Sequence, residues 1–116
     1  MTLAEAQRLV CERFGSELCP VEPGEVVFVS EGVDEGDPVE AVRYPAPPGY
    51  GGWFITTDRY DGNVELMRGE HVEHLLERRP DLAPYLALAR GYRFASAGGR
   101  FDVWFDATAA AESADW

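Results

Sequence analysis

The chain contains no lysine, only two cysteines and two histidines, and no long hydrophobic run. Without lysine it cannot build the Gly-Lys-Ser or Gly-Lys-Thr ending of a nucleotide-binding phosphate loop. Cys11 and Cys19 are too few for a disulfide framework or a zinc site, and one local bridge between them stays an alternative to two buried thiols. No apolar segment approaches the roughly 20 residues of a membrane-spanning helix, and the charged opening segment differs from a secretory signal peptide. We therefore expect a cytoplasmic protein.

Acidic residues dominate the charge of the chain. Twenty-one acids face ten bases, all of them arginine, which gives a net charge of −11. Such a protein would bring like charge to nucleic acid or to an anionic membrane, so we expect neither as a partner. A cationic protein is the partner that this charge favours. The alternative is that the acidity only keeps a small protein in solution.

The length and the apolar fraction of 46% predict a single domain over residues 1–116. A helix is expected at about residues 3–14, because Thr2 and Glu5 have the spacing of a capping box and Gly15 can end the helix. Residues 107–116 are expected to be frayed or weakly helical. The oligomeric state is left open.

Apolar runs bounded by glycine, proline and acids predict about five strands. They are residues 25–30, 39–44, 52–57, 92–96 and 101–106. Trp53 is expected to enter the core, and Gly98 and Gly99 to form the turn of a final hairpin. A helix over residues 70–79, followed by a short one from Asp81, fills the gap before the hairpin. The predicted fold is α+β, with an N-terminal helix, a mostly antiparallel sheet, and one or two helices between the third and fourth strands.

No motif in the chain predicts catalysis or a cofactor. The glycines of residues 48–52 lack both the spacing and the following helix of a phosphate loop. A calcium loop aligned on Gly62 would place Arg59 and Arg68 at ligand positions, which excludes a dication. His71 and His74 can share a helix face, so a metal site there stays an alternative to a solvated face. We expect a non-enzyme.

The acids point instead to a surface that binds a protein. A loop from Glu31 to Glu40 concentrates negative charge, and Trp104 stands between two acids on one face of the last strand, with Arg93 opposite. Tryptophan anchors many interfaces and acids steer basic partners to them. The alternative for Trp104 is that a helix covers it. The candidate partner-binding residues are Glu31, Asp34, Glu35, Asp37, Asp58, Asp61, Asp102, Trp104 and Asp106.

Three segments resemble a known family. They are "GGWFITTD" at residues 51–58, "HVEHLLERRPDLAPYLAL" at 71–88 and "GYRF" at 91–94. In this order they resemble the immunity protein 33-like domain, a group of small bacterial proteins of polymorphic toxin systems. The resemblance covers about residues 25–106. It implies a fold and a toxin partner, and it carries no catalytic residues.

The resemblance implies that the protein is an inhibitor that binds a cognate toxin domain and occludes it. Many nuclease toxins are basic, so an acidic inhibitor is suited to them through electrostatic steering. The alternative is an acidic accessory or regulatory module that binds proteins other than toxins.

Overall fold

A computed structural model describes residues 1–116. The α-helices are α1 (Leu3–Phe14), α2 (Val72–Arg78) and α3 (Ala107–Ala110), and two short 3-10 helices span Val64–Leu66 and Pro80–Tyr85. The strands are β1 (Val26–Val29), β2 (Val39–Arg43), β3 (Tyr50–Thr56), β4 (Arg68–His71), β5 (Tyr92–Ala97) and β6 (Arg100–Phe105). The predicted α+β fold with an N-terminal helix is confirmed.

The six strands form one mixed sheet in the order β4-β1-β3-β2-β5-β6. Only β1 and β3 run parallel, and every other neighbouring pair is antiparallel. The sheet is thus mostly antiparallel, as predicted, with one strand more than the expected five. Gly98 and Gly99 have positive φ angles in the turn between β5 and β6, which confirms the hairpin.

The additional strand is β4, which the sequence pattern placed partly in a helix. It pairs antiparallel with β1 at the edge of the sheet, from His71 opposite Val26 to Arg68 opposite Val29. Its residues are charged, polar or glycine, which is usual for an edge strand and leaves no apolar alternation to detect. Helix α2 therefore begins at Val72 instead of residue 70.

The core lies between one face of the sheet and the helices α1, α2 and Pro80–Tyr85. Trp53 is fully buried there, as the sequence predicted, and its indole N–H donates to the Leu86 carbonyl at 2.9 Å. Its ring meets Phe94 edge-on, with 5.2 Å between the ring centroids. Thr2 accepts a hydrogen bond from the Glu5 amide and caps α1 as expected.

A buried arginine ties four segments of the chain together. Arg43, at the end of β2, donates to the carbonyls of Gly51, Leu88, Cys19 and Leu86, of which the first two lie at 2.8 and 2.7 Å. Burial lowers the pKa of Arg43 to about 10, so the side chain is still charged at neutral pH. No carboxylate forms an ion pair with it, and besides the four carbonyls its guanidinium carbon lies over the Trp53 ring, 5.7 Å from the ring centroid.

Ala107–Ala110 form the short helix α3, and the residues after it return to the sheet. Asp106 caps α3 by accepting hydrogen bonds from the amides of Thr108 and Ala109. The ring of Trp116 lies against Phe28 on β1. No helix in the chain has the length and apolar character that crossing a bilayer requires.

Candidate partner-binding surface

The face of the sheet opposite the core is called the outer face here. Side chains alternate along a strand, so the neighbours of core residues point away from the core. Phe28 lies between the buried Val27 and Val29, and Phe54 lies between the buried Trp53 and Ile55. Both phenylalanines therefore reach the outer face, where they are only partly buried.

Stacked rings cover part of the outer face and form an aromatic platform. Phe28 stacks on Phe54 and on Tyr50, with centroid distances of 5.1 and 6.0 Å. Tyr44 meets Phe54 edge-on at 5.5 Å. Trp116 caps the platform, 5.2 Å from Tyr50 and 5.4 Å from Phe54. Each such pair adds about 0.5–1.5 kcal/mol beyond the burial of its area.

Beside the platform lies an open depression of about 280 Å³, called the aromatic groove. Tyr44 and Phe54 form the wall that it shares with the platform, and Tyr60 and Met67 contribute to its lining. Glu40 is its one acid. The complete lining is Glu40, Ala41, Val42, Tyr44, Phe54, Thr56, Tyr60, Val64, Met67 and Arg93.

Two acids of the predicted loop form close ion pairs within the fold. Asp34 lies 2.6 Å from Arg68 and 3.0 Å from Arg78, and Asp37 lies 2.9 Å from Arg59. The hydrogen bond to Asp34 is also the main reason why the pKa of Arg78 is raised. These carboxylates bind arginines of the same chain, which reduces the charge that they present to a partner.

The loop that carries these acids is also fixed through its backbone. The buried Arg79 donates from Nη1 to the carbonyls of Val33 and Asp37, at 2.8 and 2.9 Å. The carboxylate of Asp81 accepts from Nε and Nη2 of Arg79, at 3.1 Å each. A two-point pair of this kind fixes the orientation of the guanidinium. The loop is therefore held in one place instead of being free to adapt.

Four further predicted acids lie in two depressions. Glu31 and Asp61 border one depression, where Arg59 lies 3.8 Å from Glu31. Asp58 and Asp102 border another.

Glu40 borders the depression of Asp58 and Asp102 as well as the aromatic groove. Acids from three segments thus meet beside the groove. Glu35 is exposed and forms no ion pair.

Trp104 is 44% exposed, so the alternative that a helix covers it is wrong. Arg93 is its direct cross-strand partner, as the sequence predicted. Asp106 stabilises the fold and is therefore less available to a partner, because it caps α3 and binds Arg93 at 2.8 Å. Its pKa is lowered, first by the amide of Ala109 and then by Arg93.

The histidines and cysteines form no recognisable site. The rings of His71 and His74 lie 5.8 Å apart, and no three metal-ligating side chains come together in the chain. Cys11 and Cys19 are both free thiols, but only Cys11 is buried as expected, and Cys19 is partly exposed. Burial raises the pKa of Cys11, which disfavours its reactive thiolate form.

A comparison with protein-family models matches residues 6–106 to the Imm33-like domain. The chain belongs to the Imm33-like domain family. No curated protein and no solved structure matches it significantly. The family name refers to immunity proteins, which are generally binding proteins instead of enzymes and which act on a protein partner.

The Imm33-like match begins inside α1 and ends just after β6. It therefore includes the aromatic groove and the strands of the platform, while the covering residue Trp116 lies outside it. The outer face is part of the family domain, and Trp116 lies beyond the matched residues.

Sequence reasoning missed most of the aromatic groove. The sequence pattern identifies Glu40 only as one acid of a charged loop, and Phe54 only as part of a strand. A signal for Phe54 existed, because a neighbour of the buried Trp53 must point to the opposite face. Tyr60 and Met67 come from the long connection between β3 and β4, whose path no local pattern predicts.

Proposed function

We propose that this Imm33-like protein is an immunity protein, which binds the toxic domain of a bacterial polymorphic toxin and blocks it. The family match over residues 6–106 carries the proposal. The protein acts in the cytoplasm and in a fixed ratio to its partner, without turnover. The cognate toxin domain is basic.

The outer face supports this function physically. It offers rigid aromatic side chains of the kind that anchor protein interfaces, with exposed acids around them. The acids raise the rate of encounter with a basic domain, and the rings provide the contact that persists after encounter.

Among the residues predicted from sequence, the exposed ones without strong internal pairing are the contact candidates. We assign this role to Glu31, Glu35, Asp58, Asp61, Asp102 and Trp104. Asp34, Asp37 and Asp106 first stabilise the fold, and a partner meets them as ion pairs.

The test is a pull-down with the tagged protein from the bacterium that encodes it, followed by co-expression. At low salt we expect one basic protein to be captured, and its recovery to fall at high salt. Expressed alone in a laboratory strain, that protein should stop growth, and co-expression of the Imm33-like protein should restore it.

Two results would count against the proposal. The captured protein could be harmless when expressed alone, or its toxicity could persist at equal expression of the inhibitor. Capture of many weakly held proteins would instead favour an accessory interaction module. A catalytic mechanism would show as protection at far less than one inhibitor per toxin.

A further inference from the structure

We propose that the aromatic groove receives an arginine side chain of the partner protein, with its guanidinium held at Glu40. This inference deepens the proposed function and rests on it for the identity of the partner.

The walls of the groove suit the body of an arginine side chain. Tyr44, Phe54 and Tyr60 are all partly buried, so each ring leaves some of its surface open. Met67 adds a flexible apolar surface. Arginine buries its aliphatic stem along such surfaces, and its planar guanidinium is attracted to aromatic faces.

The charge beside the groove suits the head of the arginine. Glu40 is exposed, and its carboxylate forms neither an ion pair nor a hydrogen bond within the chain. Asp58 and Asp102 border the adjoining depression. The cation on that side is Arg100, which is highly exposed and lies 3.9 Å from Asp102. A negative site thus stays available at one end of an apolar groove.

The protein's own arginine in the groove does not fill this site. Arg93 lines the groove, but its Nη1 binds Asp106 at 2.8 Å. Asp106 is itself fixed by the amides of α3, so that pair is held in place. The charge of Arg93 is therefore balanced, while that of Glu40 is not.

Other occupants fit the groove less well. A purely apolar side chain would remove water from the Glu40 carboxylate without giving it a partner. A second copy of the chain would bring its own charge of −11 against the same charge. Trp116 covers the neighbouring platform and does not line the groove. The platform and the groove share Tyr44 and Phe54.

A small probe tests this inference without the toxin. N-acetyl-arginine methylamide would be titrated into protein carrying ¹³C-labelled methionine methyl groups. The chain has two methionines, so Met67 reports on the groove and Met1, which is 88% exposed, is an internal reference. We expect the Met67 signal to shift saturably and the Met1 signal to stay. The citrulline analogue has nearly the same shape without the charge, and it should move Met67 much less.

A pair of variants then separates the groove from general electrostatics. Glu40→Gln and Glu35→Gln change the net charge equally, and both residues are exposed. We expect Glu40→Gln to weaken the arginine probe about tenfold and Glu35→Gln by less than about twofold, because a charge-assisted contact is lost only in the first. An unmoved Met67 signal, or equal weakening by both variants, would overturn the inference.

The result with the arginine probe can contradict the groove inference while the proposed function holds, and the reverse is also possible. A toxin neutralised by the wild-type protein while the arginine probe leaves Met67 unmoved would keep the function and remove the groove from it. Binding of the probe at Glu40 together with a harmless captured partner would do the reverse. Once the toxin is identified, Glu40→Gln should lower the affinity of the protein for the toxin more than Glu35→Gln does.

Discussion

Replacing Arg43 by methionine should destabilise the protein strongly, although Arg43 has no acidic partner. Its guanidinium is buried and donates to backbone carbonyls from several parts of the chain. The carbonyls of Cys19 and Leu88 accept a hydrogen bond from no other donor in the protein. Methionine fills a similar volume beside Trp53 but would leave both oxygens without a partner, of which that of Leu88 is buried and that of Cys19 partly buried.

The size of the effect follows from two opposing quantities. A hydrogen bond from a charged donor contributes about 2 kcal/mol, and Arg43 makes three short ones, to Gly51, Cys19 and Leu88. The lowering of the pKa from 12.5 to about 10 corresponds to roughly 3 kcal/mol, first from burial of the charge and then from repulsion by Arg90, and methionine removes this cost. We therefore expect a net loss of about 3 kcal/mol in the free energy of unfolding.

Urea unfolding at neutral pH, followed by tryptophan fluorescence, measures this loss. In a thermal scan the same change corresponds to a fall in Tm of about 10–20 °C for a domain of this size. Arg8→Met is the matched control, because Arg8 is exposed on α1 and its change should cost less than about 0.5 kcal/mol.

A second variant and the pH dependence test whether the hydrogen bonds of the guanidinium cause the loss of stability. Arg43→Lys should also be destabilising, since one ammonium group cannot reproduce the planar set of donors. The loss for Arg43→Met should be constant between about pH 5 and pH 9, because the guanidinium is charged in both the folded and the unfolded states below its folded pKa of about 10. A value for Arg43→Met equal to that of the Arg8 control would refute the reasoning.

Three other outcomes are expected. In the native protein Ellman's reagent should modify Cys19 quickly, and it should modify the buried Cys11 only after unfolding. Equal rates of modification for both thiols would contradict the packing of α1. The lowered pKa of Asp106 means that its contribution to stability is complete above its unfolded pKa of about 4 and is lost as the pH falls through the folded pKa, so Asp106→Asn should reduce the urea midpoint at pH 7, and this difference should shrink as the pH is lowered below about 4. Asp34→Asn should cost about 1 kcal/mol in urea unfolding, because Arg68 and Arg78 then share only the carboxylate of Glu70, while Glu35→Gln should cost nothing, and equal effects would show that the ion pairs of Asp34 contribute no stability.

Local patterns in the sequence were sufficient for most of the fold. The capping residues of α1 and the glycine turn of the last hairpin act over a few residues, and both predictions were confirmed. The strand β4 was missed because Arg68–His71 has no apolar period. Its pairing with β1 depends on a contact between distant parts of the chain, which local patterns do not report.

The candidate site was harder to predict, because the exposure of a charge depends on its partners. Asp34 and Glu35 are neighbours with the same charge, yet one binds two arginines and the other binds none. The partners Arg68 and Arg78 lie more than thirty positions further along the chain. Composition counts both acids equally, and only the tertiary structure separates them.

The use of arginine in this protein explains why the net charge is a poor guide to its surface. Arg43 and Arg79 are buried and hold backbone segments in place, which the planar guanidinium with its five donors does better than an ammonium group. Others are bound to the acids of the loop before β2. The negative field that a partner meets therefore arises from the acids that these arginines leave unpaired, and Glu40 is the one that lies beside an apolar groove.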